Sequence, residues 1–203
     1  RPARTALALL WSLGLEWDEN LAPVREFCAE DRVTLRMQLE KRINTPMTSS
    51  MGRLFDAAAA LAGVRQKVNY EGQAAIEFEA LAEEAEAGAY SFGLNQDRVE
   101  VGVAVEALVK DVRAGVPIQK ISARFHNGLA EGVRETVKRI SLETGIRSVV
   151  LSGGVWQNIT LLRRTLSLLQ KDGFKVYIHR EVPTNDGGLS LGQAAIAAVR
   201  LRG

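Results

Sequence analysis

The stretch Leu151-Ser-Gly-Gly-Val-Trp-Gln-Asn158 decides the fold. It ends a short β-branched run, Arg147 to Ser152, that predicts a buried strand, and it leads at once into Trp156 to Lys171, apolar on one face at helical spacing. A strand that closes on paired glycines and passes directly into a helix is the junction of an α/β fold. Without Cβ atoms, Gly153 and Gly154 let backbone N–H groups come close to a phosphate or a base beside the positive end of the helix. Asn158 is expected in the first helical turn, with its amide able to reach a ligand. The plain alternative is an ordinary strand-to-helix turn with an asparagine facing water, because a glycine pair alone is weakly specific.

Downstream, Gly173 leads to a second strand, Lys175 to His179, and then to Pro183-Thr-Asn-Asp-Gly-Gly188, which opens a terminal helix over Gly187 to Leu201. This β-α-β-α order implies a sheet covered by helices. Asp186, near a helix N-terminus, suits a hard cation or a phosphate-bound metal, although a helix-capping Asp would have the same spacing. Both glycine turns follow strands and precede helices. In an open α/β sheet they fall along one carboxyl edge, where ligands gather.

Upstream, the chain reads mainly as helix to about residue 115. Thr5 to Leu15 is apolar at helical spacing and stops at Gly14; Leu21 to Ile43 follows; Pro46 breaks the pattern. Thr48-Ser49-Ser50 offers N-caps for an Ala-rich helix from Gly52 to Leu61 closed by Gly63. Gly52 and Asp56 lie four apart and share a helix face, so that a flat ligand could sit on the glycine while the carboxylate accepts ribose hydroxyls. Arg53 beside them could meet a phosphate. The bland reading makes all three ordinary residues of a solvated helix. Gln73 to Ala87 predicts another helix, with Glu83, Glu84 and Glu86 on a solvated face. Ala89 to Val101 reads as a hairpin turning through Gly-Leu-Asn-Gln-Asp, and helices are expected over 103–114 and 117–143, with Pro117 in a first turn. The expected division is a mostly helical region over 1–88 and an α/β nucleotide-binding lobe over 89–203.

Composition narrows the remaining classes. In 203 residues, hydrophobic content is 46%, charged content 25% and net charge +2 with interspersed signs, so bulk electrostatics makes no case for nucleic acid. No apolar run approaches the roughly 18 residues of a membrane span. Cys28 cannot form an internal disulfide and reads as a small buried hydrophobe, and two histidines make a self-contained zinc site improbable. His126 reads first as a core histidine and only second as a site residue, His179 as a surface strand end, and the tryptophans as packing. The start, Arg-Pro-Ala-Arg-Thr, suggests an excised piece of a longer protein, and a reducing, cytoplasmic setting fits best.

Several segments, taken in order, resemble the C-terminal portion of hydrogenase-maturation carbamoyltransferases of the HypF type. They are Thr48-Ser-Ser-Met-Gly-Arg-Leu-Phe-Asp-Ala, Tyr70-Glu-Gly-Gln-Ala-Ala-Ile, Phe125-His126, the Leu151 to Asn158 turn, and Asn185-Asp-Gly-Gly-Leu-Ser-Leu-Gly-Gln-Ala. The resemblance implies part of an actin/Hsp70-like (ASKHA, RNase H-like) α/β domain. It implies an ATP-dependent, AMP-forming enzyme in which carbamoyl-adenylate, made elsewhere from carbamoyl phosphate and ATP, gives its carbamoyl group to the C-terminal cysteine of a maturation partner. By the same analogy Gly52 and Asp56 hold the nucleoside, Gly153, Gly154 and Asn158 the adenylate, and Asp186 a divalent metal. The family's histidine ligands and first phosphate loop lie upstream, so this chain is expected to hold half a site and not to catalyse alone. A cousin family that makes threonylcarbamoyladenosine in tRNA shares the Gly-Gly-Val…Asn and Gly…Phe-Asp elements, but there Gly-Glu-Ala-Phe-Asp-Lys replaces Gly52-Arg-Leu-Phe-Asp-Ala57. A non-catalytic ASKHA module for binding or regulation is the third reading.

Overall fold

The structure is a computed structural model and describes residues 1–95 and 98–202, without the Arg202 side chain. It divides into two compact units, Arg1–Gly132 and Val133–Gly203. The expected division at 88/89 therefore does not coincide with the compact units. Residues 89–132 pack with the first unit, through contacts that the strand-and-turn pattern does not reveal.

The first unit begins with α1 (Pro2–Ser12), α2 (Ala22–Arg25), α3 (Ala29–Glu40), α4 (Met51–Leu61) and α5 (Gln73–Ala80). The antiparallel pair β1 (Gly93–Asn95) and β2 (Arg98–Glu100) follows, then α6 (Gly102–Arg113) and α7 (Ile118–Thr144), within which the unit boundary falls. Gln96 and Asp97, the turn of the expected hairpin, lie outside the described residues. The single helix expected over Leu21 to Ile43 is two. The first ends at Arg25 with Glu26 as its C-cap. Cys28, extended at ψ 169°, is the N-cap of the second, and Glu30 and Asp31 in the new first turn are the sequence signal for that start. Cys28 is exposed, not buried as expected.

Helices α1 and α4 meet through faces built largely of alanine, Ala3 and Ala6 on one and Ala57 to Ala60 on the other, all buried. The centre is aromatic. Phe55 meets Phe125 edge to face with ring centroids 5.2 Å apart, and Phe78 lies 5.7 Å from Phe125. Such pairs add about 0.5–1.5 kcal/mol each beyond area burial. His126 completes this cluster, fully buried, with Nδ1 2.8 Å from the Ser122 carbonyl oxygen. It is packed as a core histidine.

Helix α5 stops at Ala80, short of the expected Ala87, because the acidic segment after it is used otherwise. Glu86 accepts from the Gly88 N–H at 2.7 Å and pairs with Arg124, while Asn127 Nδ2 donates to the carbonyls of Glu86 and Gly88. Glu86 is no solvated helix face; its side chain is 12% exposed. Arg124 also bonds Asp111, which accepts from the Tyr90 hydroxyl at 2.8 Å. Residues 90–92 can cross α7 only because position 128 is glycine: a Cβ there would fall 2.1 Å from the Tyr90 carbonyl oxygen.

The second unit contains β3 (Ser148–Leu151), α8 (Ile159–Lys171), β4 (Lys175–Ile178) and α9 (Leu189–Arg202). The strands pair in parallel, Leu151 opposite Ile178, as the β-α-β order requires. Leu151, Leu169 and Phe174 are buried, with Val137, Val149, Trp156, Val176 and Ile178 packed around them. Arg134 grips Asp172 with two hydrogen bonds at 2.5 and 2.8 Å, and Arg147 donates to the Asp172 carbonyl while stacking over Phe174. No helix among the described residues is long and apolar enough to cross a membrane.

Candidate functional site

The candidate residues fall into two groups, one in each unit. In the second unit the two glycine turns emerge from adjacent parallel strands and are laced together. The Gly153 N–H donates to the Thr184 carbonyl at 2.9 Å, and Thr184 Oγ1 donates back to the Gly153 carbonyl at 3.1 Å. Gly153 stands at φ +107°, ψ 157°, backbone that glycine alone adopts without strain, yet a Cβ there would meet nothing within 4 Å. Conformation, not crowding, requires glycine. Gly154 opens a single 3₁₀ turn to Gln157 and is exposed.

Asn158 is not in the first helical turn. It is the N-cap of α8, and its Oδ1 accepts the Leu161 N–H at 2.8 Å. The short 3₁₀ turn delays the start of the helix by three residues, which apolar spacing alone did not show. Its carbonyl-type oxygen is thus engaged in the fold. Asp186 differs in the opposite sense. Asn185, not Asp186, caps the following turn, accepting from the Gly187 N–H at 3.0 Å. The Asp186 carboxylate is exposed, and no hydrogen bond or ion pair to it occurs among the described residues.

A hard divalent cation needs oxygen donors, and Asp186 is such a donor with its oxygens uncommitted. No group of three or more candidate ligands occurs among the described residues, so Asp186 fits as one ligand of a set and not as a site by itself. The strand ends carry a contact that the sequence reading missed. Ser152 and His179 each stand one residue beyond the paired Leu151 and Ile178, and Ser152 Oγ lies 2.9 Å from His179 Nε2. Their shared register position was the available signal.

In the first unit Gly52 lies in the first turn of α4, exposed, after an extended Ser50 whose side chain makes no cap hydrogen bond. Asp56, one turn on, is 16% exposed at its side chain, and Arg53 Nη1 reaches its Oδ2 at 3.3 Å. Burial pushes the Asp56 carboxyl above its usual range, and the charge of Arg53 only partly offsets this. Arg53 is therefore engaged with Asp56 and not simply exposed, while Asp56 Oδ1 keeps an acceptor for a further donor. The Glu71-Gly-Gln segment has a structural role. Gly72 stands at φ +79°, and Gln73 accepts from the Asn69 N–H and donates to Glu77, which Arg65 holds with two hydrogen bonds.

Comparison with known proteins identifies the family. The family model described as carbamoyltransferase, Kae1-like domain, second subdomain, matches residues 1–193. A carbamoyltransferase HypF of Rhodobacter capsulatus is 36% identical over 203 residues, 98% of this chain and 26% of that protein. One of Rhizobium leguminosarum bv. viciae is 41% identical over 156 residues, 75% of this chain and 20% of that protein. A crystal structure of full-length HypF in its phosphate- and nucleotide-bound form superposes with a TM-score of 0.89 at 40% identity, covering 99% of this chain and 27% of that one. The chain thus spans about a quarter of the length of the relatives it matches. Fold, turns and motif order converge on one conclusion: this chain belongs to the HypF carbamoyltransferase family, as the second subdomain of the Kae1-like domain.

Proposed function

We propose that this chain supplies one part of the nucleotide site of a carbamoyltransferase that acts in hydrogenase maturation. The observation that carries the reading is the pair of glycine turns laced together at the carboxyl edge of parallel strands, with the uncommitted carboxylate of Asp186 on one of them. Gly153, Gly154 and Asn158 receive the adenylate, and Gly52 and Asp56 the nucleoside. Arg53 opposes the effect of burial on the half-buried Asp56, whose carboxylate accepts ribose hydroxyls. The substrate is carbamoyl-adenylate, made from carbamoyl phosphate and ATP, and the acceptor is the C-terminal cysteine of a maturation partner.

In the transfer step the cysteine thiolate attacks the carbamoyl carbon. A C–S bond forms, the bond from that carbon to the phosphate oxygen breaks, the electron pair leaves on AMP, and the thiol proton has gone to solvent. Asp186, together with ligands from elsewhere, would hold a divalent cation, which would supply positive charge against the phosphate. The chain's own part is orientation: the exposed turn at Gly154, held by the Gly153–Thr184 hydrogen bonds, keeps a reactive mixed anhydride in one pose. The nucleophile belongs to the partner, so no Ser-His-Asp or Cys-His triad is needed.

The test is mass spectrometry of the acceptor cysteine after incubation with the full-length protein, ATP and carbamoyl phosphate. Modification by the wild type and its loss in Asp186→Ala supports both the transfer and the cation role. Equal modification by both removes Asp186 from the mechanism. Absence of modification by a folded wild type contradicts the transfer reading.

A further inference from the structure

We infer that Ser152 and His179 form a hydrogen-bond donor site for the phosphate of a nucleotide bound at the glycine turns, an inference that rests on the nucleotide reading above. The two residues extend β3 and β4 by one position each, on the carboxyl edge where the turns begin. Both are exposed, and Ser152 Oγ lies 2.9 Å from His179 Nε2. Alternation along the strands sets them on the face that carries Val150 and Tyr177, opposite the buried Leu151.

Counting hydrogens shows what the pair can do. If the serine hydroxyl donates to Nε2, the neutral imidazole carries its proton on Nδ1, and that N–H remains to be used. If Nε2–H donates to the serine, the hydroxyl hydrogen remains instead. In either tautomer one donor is left over, and no further partner for either side chain occurs among the described residues. A leftover donor beside the exposed Gly153–Gly154 turn is suited to an anion.

A purely structural strap is the competing account, and the local geometry speaks against it. The strands already share a parallel ladder, and the turns are already tied by two hydrogen bonds between Gly153 and Thr184. A third, exposed tie between the same strand ends would add little, since a typical intramolecular hydrogen bond contributes only about 0.5–1.5 kcal/mol net.

The experiment is hydrogen exchange of amides 152–158 and 183–188 in the full-length protein, titrated separately with AMP and with adenosine. Reading these segments reports binding at this site alone. The expected result is that His179→Ala weakens AMP protection about tenfold or more, the worth of one hydrogen bond to a charged group, while adenosine protection is unchanged. His179→Asn, which retains an N–H donor, recovers part of the loss, and Ser152→Ala loses less than His179→Ala. Equal weakening of AMP and adenosine would make the pair a support for the turns and overturn the phosphate role. Unchanged AMP protection in every variant would overturn it while leaving the nucleotide reading intact. A wild type protected by neither ligand would remove the nucleotide reading and the pair's role with it.

Discussion

The two units bury their apolar residues in different ways. Residues 1–132 enclose a continuous core of alanine-faced helices around Phe55, Phe78 and Phe125, each no more than 2% exposed. Residues 133–203 have three buried apolar residues in their core cluster, and their two-stranded parallel sheet leaves Val150 and Tyr177 open. Helix α9 leaves Leu189, Leu191, Ile196, Val199 and Leu201 exposed as well. Parallel sheets normally have both faces covered. The lesson is a division of labour. The first unit draws its order from packing, whereas the second fixes its turns by hydrogen bonds and ion pairs around a small core, and the turns proposed to meet the ligand are in the second.

Perturbing the aromatic core breaks this comparison most strongly. Phe125→Ala should cost about 3–5 kcal/mol of stability in urea unfolding, and the accelerated hydrogen exchange should appear in α4, α5 and α7. Exchange no faster there than in α8 would mean that the cluster is not the centre of the first unit. Next comes Gly128→Ala. The new methyl must displace the Tyr90 carbonyl, at a cost of roughly 1–3 kcal/mol, and residues 90–92 should lose protection.

Acid sharpens the contrast in the second unit. The Arg134 hydrogen bonds hold the Asp172 carboxyl below its usual range. The unfolded chain therefore binds the proton more readily, so this contribution is complete above the ordinary Asp range and is lost as pH falls through the depressed folded value. Unfolding of Asp172→Asn followed between pH 7 and pH 3 should be less acid-sensitive than that of the wild type. Asp56 runs the other way: its raised folded value makes its contribution fall as pH rises through the window between the unfolded and folded values.

The smallest effect is a gain. Arg42, at φ +55°, closes α3 with N–H bonds from Arg42 to Leu39 and from Ile43 to Gln38. The same six-to-one and five-to-two pattern ends α4 at Gly63 and α8 at Gly173, where glycine takes the left-handed position. Arg42→Gly should therefore be neutral to stabilising by up to about 1 kcal/mol in thermal unfolding.

The parts of the fold legible in the sequence are those set by local chemistry. The order of β3, α8, β4 and α9, the Gly63 helix end and the adjacency of the two glycine turns all follow from periodicity and turn residues. What escaped depends on partners distant in the chain. Nothing local says that Glu86 turns inward to Arg124, or that Gly128 exists to let residues 90–92 pass. At the site, Gly153 and Asp186 stand where turn chemistry placed them, whereas Asn158 was displaced by a 3₁₀ turn that glycine and tryptophan spacing does not announce. His126 reads the same way from sequence and structure, a core residue first.

The most direct test of the central claim is hydrogen exchange across the full-length protein with and without ATP. The account predicts new protection in residues 152–158 and 183–188, with a second protected stretch around Gly52 to Asp56. Protection confined to segments outside all three would contradict the assignment of a nucleotide to these turns.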